Sequence, residues 1–184
     1  MFSWTMSEGG ELDARPVRAF LPRAGLQVDE SAWPASVPAM AQLLREGLEV
    51  PAGLTVLVGE NGSGKSTVIE SLAEAYGLNP QGGSAQDRLF RIRDSEPDAP
   101  LSFTASLGLV ALLHDLVVAG SQVVVATHSP IVAALPGANL LELGPWGVRH
   151  ATWDDLGLVI SWRQFMRDPQ SFFRHLFDEQ DARR

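Results

Sequence analysis

Leu54-Thr55-Val56-Leu57-Val58-Gly59-Glu60-Asn61-Gly62-Ser63-Gly64-Lys65-Ser66-Thr67 is the stretch on which the fold turns. Its first five residues are apolar or β-branched and follow Pro51 and Gly53, which predicts a short buried strand. The next nine fit the phosphate-binding pattern G-x-x-x-x-G-K-[ST]. Val68, Ile69, Leu72, Ala73 and Tyr76 then recur at helical spacing, with Gly77 as the stop. Strand, glycine loop and helix are the context this motif requires.

The residue types match the chemistry. Gly59, Gly62 and Gly64 let the backbone curl so that several N–H groups can point at one anion. The helix that opens there adds its positive end. In this pattern Glu60, Asn61 and Ser63 complete the cradle, Lys65 reaches the β- and γ-phosphates, and Ser66 ligates Mg²⁺ beside Thr67. Lys65 is the only lysine of the chain; the other thirteen basic side chains of the Lys and Arg total of 14 are arginines. The bland alternative is a glycine-rich turn that binds nothing.

Bulk properties set limits. A chain of 184 residues suits one domain with a small appendage, and 45% hydrophobic residues suffice for a core. The net charge of −8 advertises no nucleic-acid surface. Without cysteine there are no disulfides or thiolate metal sites. No apolar run is long enough for a membrane span, and no basic-then-apolar leader opens the chain, so a cytoplasmic protein is expected.

Outward from the loop, residues 1–16 are expected to be disordered or an arm, and Val17–Leu21 a first strand. Leu26–Pro38 reads as a loop, with Ser31 or Ser36 capping a helix whose Val37, Met40, Leu43 and Leu44 share a face and which stops at Gly47. Leu48–Val50 suggests a short strand. Trp33 is either an adenine-stacking aromatic or a packed surface side chain. Gly77–Gln86 reads as a loop and Leu89–Arg93 as a weak strand. A buried helix of about fifteen residues follows, from Leu107 to near Gly120. Val123–Ala126 predicts a parallel, central strand, after which Ser129 caps and Pro130 opens a helix. Asn139–Leu143 and Trp146–His150 suggest a hairpin across Gly144-Pro145. Trp153–Arg167 and Pro169–Phe177 read as amphipathic helices split at Asp168-Pro169, with Asp154-Asp155 capping the first. Their aromatic residues, Trp162, Phe165, Phe172, Phe173 and Phe177, form either a face docked on the sheet or, if exposed, a partner surface. His114, His150 and His175 have no zinc-ligand spacing.

Val123-Val124-Val125-Ala126-Thr127-His128-Ser129-Pro130, downstream of the glycine loop, resembles the ATP-binding-cassette type of P-loop ATPase. More narrowly, the chain resembles small bacterial soluble AAA-family ATPases with ABC/SMC-like heads, over roughly Trp33–Gln86 and Glu96–Phe177. The resemblance implies an α/β P-loop NTPase fold: a mostly parallel sheet flanked by helices, here shortened. It implies a nucleotide-binding domain over 17–150, and the helical pattern after it a C-terminal extension over 151–184 packed on that domain. It implies ATP and Mg²⁺ as ligands, and either a nucleotide-dependent homodimer or another protein partner. His128 takes the position of the histidine that contacts the γ-phosphate. Glu96, in Glu96-Pro97-Asp98-Ala99-Pro100-Leu101-Ser102, takes that of the residue polarising the attacking water, with Asp98–Ser102 as the dimer-facing loop. A bland reading of Glu96 is an acidic turn residue.

The chain also departs from the family. Arg91-Ile92-Arg93-Asp94-Ser95 stands where an apolar strand should run into Asp-Glu. Ser95 occupies the metal-coordinating aspartate's position; Asp94, the candidate metal ligand beside Ser66, is one residue early and so on the opposite strand face. Nothing between Tyr76 and Asp94 matches the family's glutamine loop or its signature segment, as if the middle were removed. Turnover is therefore expected to be slow or absent. The expectation is an ATP-binding P-loop protein with impaired hydrolysis. The alternatives are a non-catalytic nucleotide-binding regulatory module, a small-molecule kinase, and a decayed fragment. A guanine-reading Asn-Lys-x-Asp is excluded by the single lysine.

Overall fold

A computed structural model describes residues 17–22, 24–25, 27–75 and 102–181. The expected arm over 1–16, the loop over 77–86, the strand over 89–93, and Asp94, Ser95 and Glu96 lie outside them. The elements are β1 (Ala19–Phe20), α1 (Pro38–Glu46), β2 (Leu48–Glu49), β3 (Leu54–Gly59), α2 (Lys65–Ala75), α3 (Phe103–Val118), β4 (Val123–Thr127), α4 (Pro130–Ala133), β5 (Asn139–Gly144), β6 (Gly147–Ala151), α5 (Gly157–Arg167) and α6 (Pro169–Asp181). A 3₁₀ turn, Trp153–Asp155, precedes α5.

Four strands form the main sheet in the order β4-β3-β5-β6. β3 pairs parallel with both β4 and β5, Val56 standing opposite Val125 on one side and Leu140 on the other. β5 and β6 pair antiparallel, as the hairpin signal across Gly144-Pro145 predicts. Trp146 belongs to the turn and not to the strand, which starts at the positive-φ Gly147. β4 is parallel as expected. It is not central: among the described strands it is an edge, and β3 and β5 are interior.

The period-2 alternation of β3 explains the layering. Leu57 joins Met40, Leu43, Val68, Ile69 and Leu72 under α1 and α2. Leu54, Val56 and Val58 join Leu113, Val132, Leu156 and Val159 under α3, α4 and α5. A strand sandwiched between two helical layers must be apolar on both faces, which is why Leu54–Val58 shows no polar alternation.

Four local expectations are corrected. α1 is capped by neither Ser31 nor Ser36. Its N-cap is Val37, which makes no side-chain cap, and Pro38 supplies the first turn. Ser31 instead turns back on Asp29 through its hydroxyl (2.6 Å) and N–H (2.9 Å), which hold that carboxyl below its ordinary range. α3 begins earlier than expected because Ser102 accepts from the Ala105 amide. It is not a buried helix: Phe103, Leu107, Leu112 and Val118 are exposed, and only Ser106 and Leu113 are fully buried.

Asp154 and Asp155 do not cap α5, whose N-cap is Leu156. Asp155 accepts from the Thr152 hydroxyl at 2.5 Å, and Asp154 pairs with Arg163. Ser129 and Pro130 open α4 as expected, the Ser129 hydroxyl accepting from Val132.

The side chain of Gln122, fully buried, ties the start of the described chain to the sheet. It accepts from the Val17 N–H at 3.0 Å and donates to the carbonyls of Val17 (2.7 Å), Val50 (3.2 Å) and Pro51 (2.9 Å).

Candidate functional site

β3 ends at Gly59 and α2 begins at Lys65, so the glycine loop bridges the carboxyl end of an interior parallel strand and a helix N-terminus. Gly62 and Gly64 have φ of 81° and 93°, where a side chain would be strained. Space also excludes larger residues. A Cβ on Gly64 would run into Val37, and one on Gly59 into the Leu143 carbonyl and Ser63. The loop is thus clamped between α1 and the end of β5.

Lys65 is 7% exposed. Its Nζ curls back to donate to the Gly59 carbonyl at 2.7 Å and the Glu60 carbonyl at 2.8 Å. This places a buried positive charge at the start of the loop. The Ser63 hydroxyl oxygen is buried there without a hydrogen-bond partner. A buried polar atom normally has one, and a phosphate oxygen at the loop would supply it. The glycine cradle, the cation at its mouth and the orphaned hydroxyl all fit a bound phosphate group. Ser66 is exposed in the first turn of α2 and Thr67 is half-buried.

His128 follows β4, which neighbours β3 in parallel register, so the two carboxyl ends meet. Its Nδ1 lies 3.4 Å from the Gly59 carbonyl, the same oxygen that Lys65 reaches. Two of the site residues suggested by sequence, Lys65 and His128, therefore converge on one backbone atom, 69 positions apart for Gly59 and His128. Glu96 and Asp94 are not among the described residues. The described residues hold no group of three or more His, Asp or Glu able to bind a metal.

An open cavity of about 1070 Å³ begins at the loop. Its lining includes Gly59–Ser63 and His128 together with Glu142, Trp146, Ser161, Trp162, Phe165 and Phe172. Glu142 was not singled out by sequence. It is an acid within the apolar run Asn139-Leu140-Leu141-Glu142-Leu143, and that break in the pattern is the signal that could have found it. It is 4% exposed. It accepts from Arg149 through Nε (2.9 Å) and Nη2 (2.6 Å), and from the Gly157 amide (2.7 Å).

Other candidates separate from the site. Trp33 is 73% exposed and so is not a packed surface side chain. His150 lies across the hairpin from Asn139, Nδ1 to Oδ1 3.2 Å, and His114 stands exposed beside Asp115 on α3.

No protein-family profile matches the chain, and no solved structure matches it. Ribose import ATP-binding protein RbsA 1 of Rhizobium meliloti (strain 1021) is 31% identical to it over 121 residues, 66% of this chain. That alignment spans 19% of the transporter protein's own length. The similarity supports a distant P-loop, ABC-like relationship, with which the mostly parallel four-stranded sheet flanked by helices is compatible. Among the described residues no helix is long and apolar enough to cross a membrane.

Proposed function

We propose that this chain binds MgATP on the loop from Gly59 to Thr67, as an ABC-type P-loop module of the kind carried by small bacterial AAA-family ATPases, with slow or no turnover. The observation that carries this is the convergence of the Lys65 ammonium and the His128 imidazole on the Gly59 carbonyl, at the mouth of a cradle whose Ser63 hydroxyl has no partner. The distant likeness to an ATP-binding protein adds to it.

In this reading the loop amides and Lys65 hold the β- and γ-phosphates by charge-assisted hydrogen bonds. His128 donates to the terminal phosphate. Ser66 offers its hydroxyl to Mg²⁺, which would neutralise phosphate charge. Glu96 would orient a water and Asp94 would be the second metal ligand, both assigned from sequence context alone. Ser95 at the aspartate's usual position is why turnover is proposed to be low, since phosphoryl transfer depends on positioned charge.

Calorimetry with MgATP, together with phosphate release from the same sample, tests the proposal. Lys65→Ala removes two or more charge-assisted contacts and should weaken binding at least about 100-fold. Unchanged affinity in that variant would refute the proposal. Steady phosphate release lost in Lys65→Ala would refute the low-turnover part and leave the binding part intact.

A further inference from the structure

α3 leaves an apolar face in solvent. Ser106, Leu109, Leu113 and Leu116 turn inward, Ser106 and Leu113 fully. On the other side Phe103 and Val118 are 68% and 72% exposed, and Leu107 and Leu112 are exposed with them. The helix holds no lysine, arginine or glutamate, and Asp115 is its one acid. A helix face in water normally carries charge of both signs.

The outermost line of that face is small. Thr104, Gly108, Ala111 and Asp115 recur at spacings of four, three and four, and all are exposed. Such spacings trace one stripe of a helix, and here Leu107 and Leu112 flank it. Gly108 is the informative member. A Cβ there would meet nothing within 4 Å, so no contact inside the chain requires glycine, and glycine in a helix interior is destabilising. On this line it lets a second helix approach to an interaxial distance of about 8 Å.

We propose that this face binds a second copy of the chain, α3 against α3, antiparallel about a two-fold axis between Gly108 and Ala111. The charge pattern selects both occupant and direction. An apolar face with one acid and no base fits another of the same composition. A parallel pair would set Asp115 against Asp115 of the second copy, like charges at contact. The antiparallel pair sets Asp115 against Thr104 of the second copy. That hydroxyl donates to the carboxylate, and symmetry makes the bond twice. In the same register Gly108 faces Ala111 of the second copy, small against small, and Phe103 reaches its Val118. Leu107 and Leu112 close over the flanks.

One helix face on another buries less than about 1,200 Å², so the dimer is reversible, with a dissociation constant of about 10 µM. It needs no nucleotide and does not rest on the proposed function. In this it differs from the nucleotide-dependent homodimer that the ABC resemblance implies.

Sedimentation equilibrium of the full chain without nucleotide, from about 1 to about 200 µM, should show monomer giving way to dimer. Gly108→Gln should weaken the dimer about tenfold or more by forcing the helices apart. The same variant should raise the melting temperature of the monomer, because it replaces a helix glycine that stands in open space. A role for Gly108 in the monomer fold would not move these two readouts in opposite senses.

The chain has no cysteine, so single cysteines report the register. In the proposed dimer the two Ala111→Cys positions have Cα atoms roughly 6 Å apart, within disulfide reach. The two Val118→Cys positions stand roughly 25 Å apart. Mild oxidation should link the first variant and not the second. Equal linking of both would overturn the proposal in favour of a parallel or unspecific contact. A monomer at every concentration would overturn it, and an Ala111→Cys thiol that then resists maleimide would assign the face to another segment of this chain. Dimerisation that requires MgATP would also overturn it and return the association to the nucleotide site.

Discussion

The Glu142 carboxylate on β5 accepts the backbone N–H of Gly157 at 2.7 Å and so caps α5 from 15 residues upstream. Its other oxygen holds Arg149, which in turn covers Trp146. One buried acid therefore connects the sheet, the hairpin and the C-terminal helices. Glu142→Ala should lower stability by about 2–3 kcal/mol, the loss of a cap plus a charge-assisted bond. Thermal unfolding should show this as a fall of about 5–10 °C. Glu142→Gln keeps an acceptor for Gly157 and should cost less; equal losses would place the effect in the ion pair and not in the cap.

The two inner glycines of the loop should not be equivalent. Both have positive φ, but a Cβ at Gly62 meets open space, whereas at Gly64 it collides with Val37. Gly62→Ala should cost about 1 kcal/mol from backbone strain alone. Gly64→Ala should cost about 3 kcal/mol and push α1 off the loop. Chemical denaturation compares them directly, and a Gly62 variant as unstable as the Gly64 variant would contradict the geometry.

His128 is exposed at the end of β4, so its removal should leave the fold intact. If it meets the terminal phosphate, His128→Ala should weaken MgATP about tenfold and MgADP hardly at all, one charge-assisted hydrogen bond being lost. Calorimetry with both nucleotides reads the difference. Equal loss for both would place His128 away from the γ position.

Gln122 answers for four backbone groups from two segments, Val17 and Val50-Pro51. Gln122→Leu keeps volume but leaves buried polar groups unpaired, at a cost of about 3 kcal/mol or more. Amide exchange should accelerate first at Val17 and along β1 and β2, because these strands hang on that side chain. Uniform acceleration across the sheet would mean that the effect is global and not local.

Local chemistry is legible in the sequence. A strand, a glycine loop and a helix follow from residues 54–76 because every signal there is short-range: β-branched runs, φ > 0 at glycine, 3.6-residue spacing. The Asn139–His150 hairpin and the Ser129-Pro130 helix start were legible for the same reason. Partners distant in sequence were not. That Lys65 and His128 share the Gly59 carbonyl depends on β4 lying beside β3, and strand order is set by how two helical layers share the sheet faces. The α5 cap looked like the adjacent Asp154-Asp155 and is in fact Glu142, because a buried strand acid must find donors wherever the fold supplies them. The apolar pattern of α3 promised burial on all sides, yet a helix can cover only the surface its neighbours offer. Composition and spacing specify what each segment can do; packing specifies which segments meet, and the aromatic cavity beside the phosphate loop exists only in the second.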